Sequence, residues 1–128
     1  MTNGIPKSMA LRICVYPDRE EHKVFLAHCL ELDVIGSGKS VQEALTELIE
    51  LIDVQIESCK RHKARFFVPA PAHVWQKYEQ ARKANRRLAQ ELVERVLAQT
   101  KPAFGHWIPT IENALATKGV PDDYLASV

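Results

Sequence analysis

Leu11, Ile13 and Val15 alternate with Arg12, Cys14 and Tyr16, a period of two that predicts a strand over residues 10–16 with one face covered. Pro17, Asp18, Arg19, Glu20 and Glu21 interrupt it with turn chemistry. A second alternation over 23–29 sets Val24, Leu26 and His28 against Phe25, Ala27 and Cys29, so a hairpin is expected. After a polar turn at 30–33, Val34 and Ile35 lead into Gly36 as a short third strand, and Gly38 leads out of it.

The period then changes. Ser40 followed by Glu43 forms a capping box, in which the serine oxygen accepts the Glu43 amide and the glutamate is expected to return to the serine amide. Val41, Leu45, Leu48, Ile52, Ile56 and Cys59 continue at helical spacing, and Lys60, Arg61, His62 and Lys63 suit the C-terminal end. Residues 64–68 are apolar and read as a short fourth strand or an extended crossing, stopped by Pro69 and Pro71. A long basic helix is expected over 72–99, carrying Val74, Tyr78, Ala81, Leu88, Leu92 and Val96 on one side, and a short helix around 110–117. The fold class expected is α+β: an antiparallel sheet of three to four strands packed on one helix, as a domain over 8–68, followed by a helical C-terminal extension over 69–128.

Composition changes this picture little, and charge changes it more. With 128 residues, 46% hydrophobic and 26% charged, the chain has the make-up of a soluble globular protein, with no apolar run of membrane-spanning length. Residues 1–10 lack the apolar core of a signal peptide and the three cysteines are widely spaced, so a cytoplasmic protein with reduced thiols is expected. The net charge of +1 hides an asymmetry: residues 1–59 carry 5 Lys/Arg against 10 Asp/Glu, and residues 60–128 carry 12 against 6. An acidic part and a basic part can serve different partners or attract each other in an assembly.

Candidate chemistry is sparse. Gly36, Ser37, Gly38, Lys39 and Ser40 at a strand-to-helix junction invite a phosphate-loop reading, yet the glycine that pattern needs five positions before Gly38 is Asp33, whose charge repels phosphate. His28 and Cys29, as strand neighbours, point to opposite faces, and neither they nor Cys59 with His62 have metal-ligand spacing. Asp18, Glu31, Asp33 and Glu43 are accounted for by turns and the cap. No catalytic residue, metal site or cofactor is expected. Contacts to a protein partner are expected from His28, Glu31, Asp33 and Lys39, and contacts to nucleic acid or another subunit from Trp75, Arg82, Arg86 and Arg87. Sheet edges and spare apolar helix positions favour a homo-oligomer.

The run Phe25, Leu26, Ala27, His28, Cys29, Leu30, Glu31, Leu32, Asp33, then Gly38, Lys39 and Ser40, then Glu43, Ala44 and Leu45, resembles the core signature of the HicB-like family over about residues 9–60. The resemblance implies a degenerate RNase H-like fold and an antitoxin-type function, in which the protein binds and silences a small basic RNA-cleaving toxin of HicA type. Pro69, Ala70 and Pro71 followed by Trp75 look like stand-alone HicB-like proteins without a DNA-binding tail. Two departures bear on this. The first strand has no acid for a nuclease's metals, so an enzyme is not expected. No recognisable DNA-binding unit follows residue 68.

Overall fold

The computed structural model describes residues 10–21, 23–62, 67–104 and 109–117. Its elements are β1 (Ala10–Pro17), β2 (Phe25–Cys29), β3 (Val34–Gly38), α1 (Val41–His62), α2 (Ala72–Ala81), α3 (Arg86–Thr100) and β4 (Thr110–Leu115). The four strands form one sheet in the order β3-β2-β1-β4. The β1–β2 and β2–β3 pairs are antiparallel, with Cys14 opposite His28 and His28 opposite Ile35. The outer strand β4 runs parallel to β1, with Leu11 opposite Ile111 and Val15 opposite Leu115. The sheet is therefore mixed, which corrects the expectation of an antiparallel one.

Alternation along the strands decides which side chains meet which helices. Leu11, Ile13 and Val15 of β1, with Phe25, Ala27 and Cys29 of β2, face α1 and α3 and share one buried cluster with Leu45, Leu48, Ile49, Ile52, Leu92 and Val96. On the other face, Cys14, Leu30 and Ala114 pack under Val74, Tyr78 and Ala81 of α2. The architecture is three layers, α2 on the sheet and the sheet on α1 with α3.

Three expectations for the second half of the chain are corrected. A strand lies at 110–115, where a helix was expected. Ile111, Ala114 and Leu115 have helical spacing, whereas the polar Asn113 interrupts the apolar alternation of a strand, and pairing to β1 selects the strand nonetheless. Residues 64–66 lie outside the described residues, and 67–70 take the expected extended crossing, tied down where Val68 N donates to Glu31 O at 3.0 Å and Ala70 N to Leu30 O at 2.7 Å. The single long helix is two helices separated at 82–85, where Asn85 is left-handed with φ 50°. A straight rod could not serve both faces of the sheet: α2 buries Val74 and Tyr78 on one, α3 buries Leu92 and Val96 on the other. The segment expected as a helical extension thus supplies a strand as well, and α3 and β4 share the core with β1 and α1.

All three cysteines are buried thiols. Burial pushes Cys14 and Cys29 up to about 12 and raises Cys59 as well. At pH 8 a thiol titrating near 12 is ionised in about one molecule in ten thousand, and the thiolate is the reactive form. Native protein treated with a disulfide-exchange reagent at pH 8 is therefore expected to leave Cys14 and Cys29 unmodified over hours, with full reaction in denaturant. Rapid native labelling of either would contradict this packing.

Candidate functional site

The turn between β2 and β3 places most of the residues singled out from the sequence. His28 is buried, with both ring nitrogens engaged: Nε2 lies 2.6 Å from Asp33 Oδ1 and Nδ1 lies 2.9 Å from the Tyr16 hydroxyl. A carboxylate only accepts, so Nε2 carries the proton toward Asp33, and in the neutral ring Nδ1 accepts from Tyr16 O–H. Asp33 reaches back because it is left-handed, φ 51°, a conformation that aspartate tolerates in a tight turn. The Lys77 ammonium stands over the Tyr16 ring, 4.6 Å from its centroid.

An acid, a histidine and a hydroxyl in line resemble a nucleophile relay, and the electrostatics argue against that use. Burial, together with the Cys14, Asp33 and Asp18 charges, makes Tyr16 a weaker acid than an ordinary tyrosine, the opposite of an activated nucleophile. The chain of bonds braces β1, β2 and the turn against one another. Among the described residues, no three His, Cys, Asp or Glu side chains gather closely enough to hold a metal ion.

Glu31 does not stand where the partner contact was expected. Its side chain is 2% exposed and accepts from the Arg12 amide at 2.7 Å and from Arg12 Nη1 at 2.8 Å. Arg12 in turn lies over the Trp75 ring, 5.7 Å from its centroid, and Trp75 Nε1 donates to Ala70 O at 3.1 Å. Trp75 is thereby a packing and anchoring residue of α2. Arg87 is almost fully exposed and paired with Glu91 within α3, whereas Arg82 and Arg86 line one cavity beside β4.

What remains open is the outer edge of the sheet at β3. This strand is last in the order, so no strand among the described residues pairs with its far side. Asp33 and Lys39 flank it, both exposed, and Ile35 on it is 43% exposed. Gly36 lets α1 approach closely: a Cβ there would lie 2.4 Å from Leu48 N and 2.6 Å from Ala44 O. That contact brings the start of α1 against the strand. Ser40 Oγ accepts the Glu43 amide at 3.0 Å as expected, but Glu43 returns to the Lys39 amide, at 2.8 Å, one residue earlier than the capping box implied.

Glu43, Glu47 and Glu50 then follow at helical spacing, all exposed, and with Ser37, Gly38 and Thr46 they line a shallow depression where β3 meets α1. Farther along α1, Leu51 and Val54 are exposed apolar residues three apart. Glu47 and Glu50 are functional candidates the sequence reading passed over, although their spacing from Glu43 was the signal that could have found them.

The fold and this surface define a small α+β protein that carries, among the described residues, an acidic depression beside an open sheet edge. Comparison with protein-family models, with curated proteins and with solved structures finds no match to the chain.

Proposed function

We propose that the chain is a non-catalytic binding protein of HicB-like type that holds a small basic protein, such as a HicA-like RNA-cleaving toxin, along β3 and the first half of α1. The observation that carries this reading is the juxtaposition of an edge strand, unpaired on its outer side among the described residues, with the exposed carboxylates of Glu43, Glu47 and Glu50. An extended segment added to β3 would gain main-chain hydrogen bonds from the edge, while lysines or arginines beside it would meet the three carboxylates. Ile35 on one side and Leu51 with Val54 on α1 supply apolar contact area, which charge alone does not provide. The order of three antiparallel strands followed by a helix over residues 10–62 supports the family resemblance and its RNase H-like fold.

In this reading Asp33 and Lys39 are contact residues at the two ends of the strand, His28 positions Asp33, and Glu31 acts by holding Arg12. The test is co-expression and titration with a candidate HicA-like partner. The double variant Glu47→Lys, Glu50→Lys is expected to weaken binding at least about tenfold at low salt, and raising salt is expected to weaken the unaltered complex in the same direction. Binding that ignores both salt and charge reversal would refute the proposed surface. A chain that stays alone with every basic candidate would refute the function.

A further inference from the structure

Hydrogen bonds elsewhere in the sheet fix which groups of β3 are free. Leu30 N donates to Arg12 O at 2.8 Å, and Asp18 N donates to Val24 O at 2.9 Å. In an antiparallel ladder such bonded pairs recur at every second residue, so between these two limits Leu26 and His28 turn their N–H and C=O groups toward β1. Phe25, Ala27 and Cys29 therefore turn theirs toward β3, where they meet Gly38, Gly36 and Val34. That leaves Ile35 and Ser37, whose main-chain groups point away from β2 and pair with no described residue.

The side chains divide the same way, by alternate residues. A Cβ at Gly38 would run into Glu43 and one at Gly36 into Ala44 and Leu48, so both positions face α1 and the helix runs back along the strand. Ile35 and Ser37 face the other side. Glu43, Glu47 and Glu50 consequently form a row beside the open edge, on the α1 side only, about 10 Å long at the rise of a helix. Glu47 and Glu50 form no ion pair among the described residues. On the opposite side Ile35 is 43% exposed, because α2 packs over Cys14 of β1 and Ala114 of β4 instead.

A strand added at this edge meets both patterns. Its alternate side chains lie on the α1 side, about 7 Å apart, so neighbouring ones match the glutamate row, and those between them lie beside Ile35 and Ser37. We infer that the segment β3 accepts is extended, with lysine or arginine at alternate positions beside the glutamates and apolar or β-branched residues between them beside Ile35. This rests on the docking surface proposed above and adds the side-chain pattern that surface selects. A basic helix would gain none of the main-chain bonds at Ile35 and Ser37. A second copy pairing antiparallel through its own β3 would set glutamates against glutamates.

Amide hydrogen exchange, followed by NMR on the full chain at low salt, tests the pattern with four blocked peptides. These are Thr-Lys-Val-Lys-Val-Lys-Thr, the same residues in the order Lys-Lys-Lys-Thr-Val-Val-Thr, and the alternating peptide N-methylated either at both valines or at two lysines. At saturation the alternating peptide is expected to slow exchange at Ile35 and Ser37 at least tenfold and to leave Gly36, already bonded to β2, unchanged. It is expected to bind at least tenfold tighter than the block order, and Glu47→Lys with Glu50→Lys to remove that advantage. One N-methylated peptide is expected to lose binding and the other to keep it: loss at the valines marks an antiparallel added strand, loss at the lysines a parallel one.

The inference is overturned if the alternating peptide does not saturate, if the block order binds equally, if both N-methylated peptides behave alike, or if exchange at Ile35 and Ser37 is unchanged. Exchange there that slows with protein concentration alone would assign the edge to a second copy and overturn it too. A HicA-like partner that binds without protecting these two amides would overturn this inference and leave the partner reading standing. Protection by the peptide, with no HicA-like protein binding, would do the reverse.

Discussion

Gly36→Ala is expected to destabilise the protein by about 3 kcal/mol or more. The reason is contact with main chain. The new Cβ would lie 2.4 Å from Leu48 N, 2.6 Å from Ala44 O and 2.8 Å from Leu48 Cα, and none of those atoms can rotate away as a side-chain end would. Relief requires α1 to lift from β3, which opens the cluster in which Leu48, Ile52 and Ile56 are fully buried against β1 and β2. Equilibrium denaturation read by circular dichroism checks it, with Ser37→Ala, an exposed neighbour on the same strand, as a near-neutral control. A Gly36→Ala midpoint equal to the unaltered protein's would mean that α1 does not sit this close. Because the same approach places Glu43 and Glu47 beside the β3 edge, partner binding is expected to fall together with stability in this variant.

The second large effect is at Glu31. Its carboxylate is buried and is the acceptor for two Arg12 donors, one of them main chain, while its own carbonyl accepts from Val68 N. Glu31→Ala removes both side-chain bonds, leaves the Arg12 amide without that acceptor and opens a hole under the segment leading to α2. The Arg12 guanidinium left behind is 40% exposed and can be solvated, so the expected loss at neutral pH is about 1–3 kcal/mol, the typical cost of a buried polar group left without its partner. Burial raises the Glu31 carboxyl above its ordinary range even though the Arg12 amide and guanidinium pull it down.

The sign of the pH effect follows from that direction. A carboxyl whose folded value is raised binds its proton more tightly in the folded chain, so its contribution is greatest below the ordinary carboxylate range. It declines as pH rises through the raised folded value. Glu31→Gln, which retains one acceptor for the Arg12 amide, is expected to cost less than alanine and to remove this component from the stability profile between those two points. Denaturation curves across that interval, for both variants, decide it. A profile unchanged by Glu31→Gln would show that the carboxyl is not desolvated as described.

Much of the first half was legible because its instructions are local. Alternation at 11–16 and 23–29, the glycines at 36 and 38, and the cap from Ser40 to Glu43 each involve residues a few positions apart, and each produced the expected element. The candidate site was less legible. His28 and Asp33 were both singled out, and they do meet, but the third member, Tyr16, lies across a strand pairing that no spacing reveals. Glu31 looked like a surface acid in a turn until Arg12, nineteen residues away, was placed beside it.

The amino-acid sequence by itself determined an α+β chain with a hairpin, a third strand and a capped amphipathic helix, since hydrophobic period and turn chemistry act over a few residues. Tertiary structure alone decided that 110–115 is a strand, because the local spacing of Ile111, Ala114 and Leu115 suits a helix and hydrogen bonding to β1, some hundred residues earlier, overrides it. It also decided that the basic helix breaks at 82–85, because the chain must pass from one face of the sheet to the other around β4. Both decisions rest on long-range pairing and packing, and together they create the cavity at one edge, while β3 at the other has no strand on its outer side among the described residues.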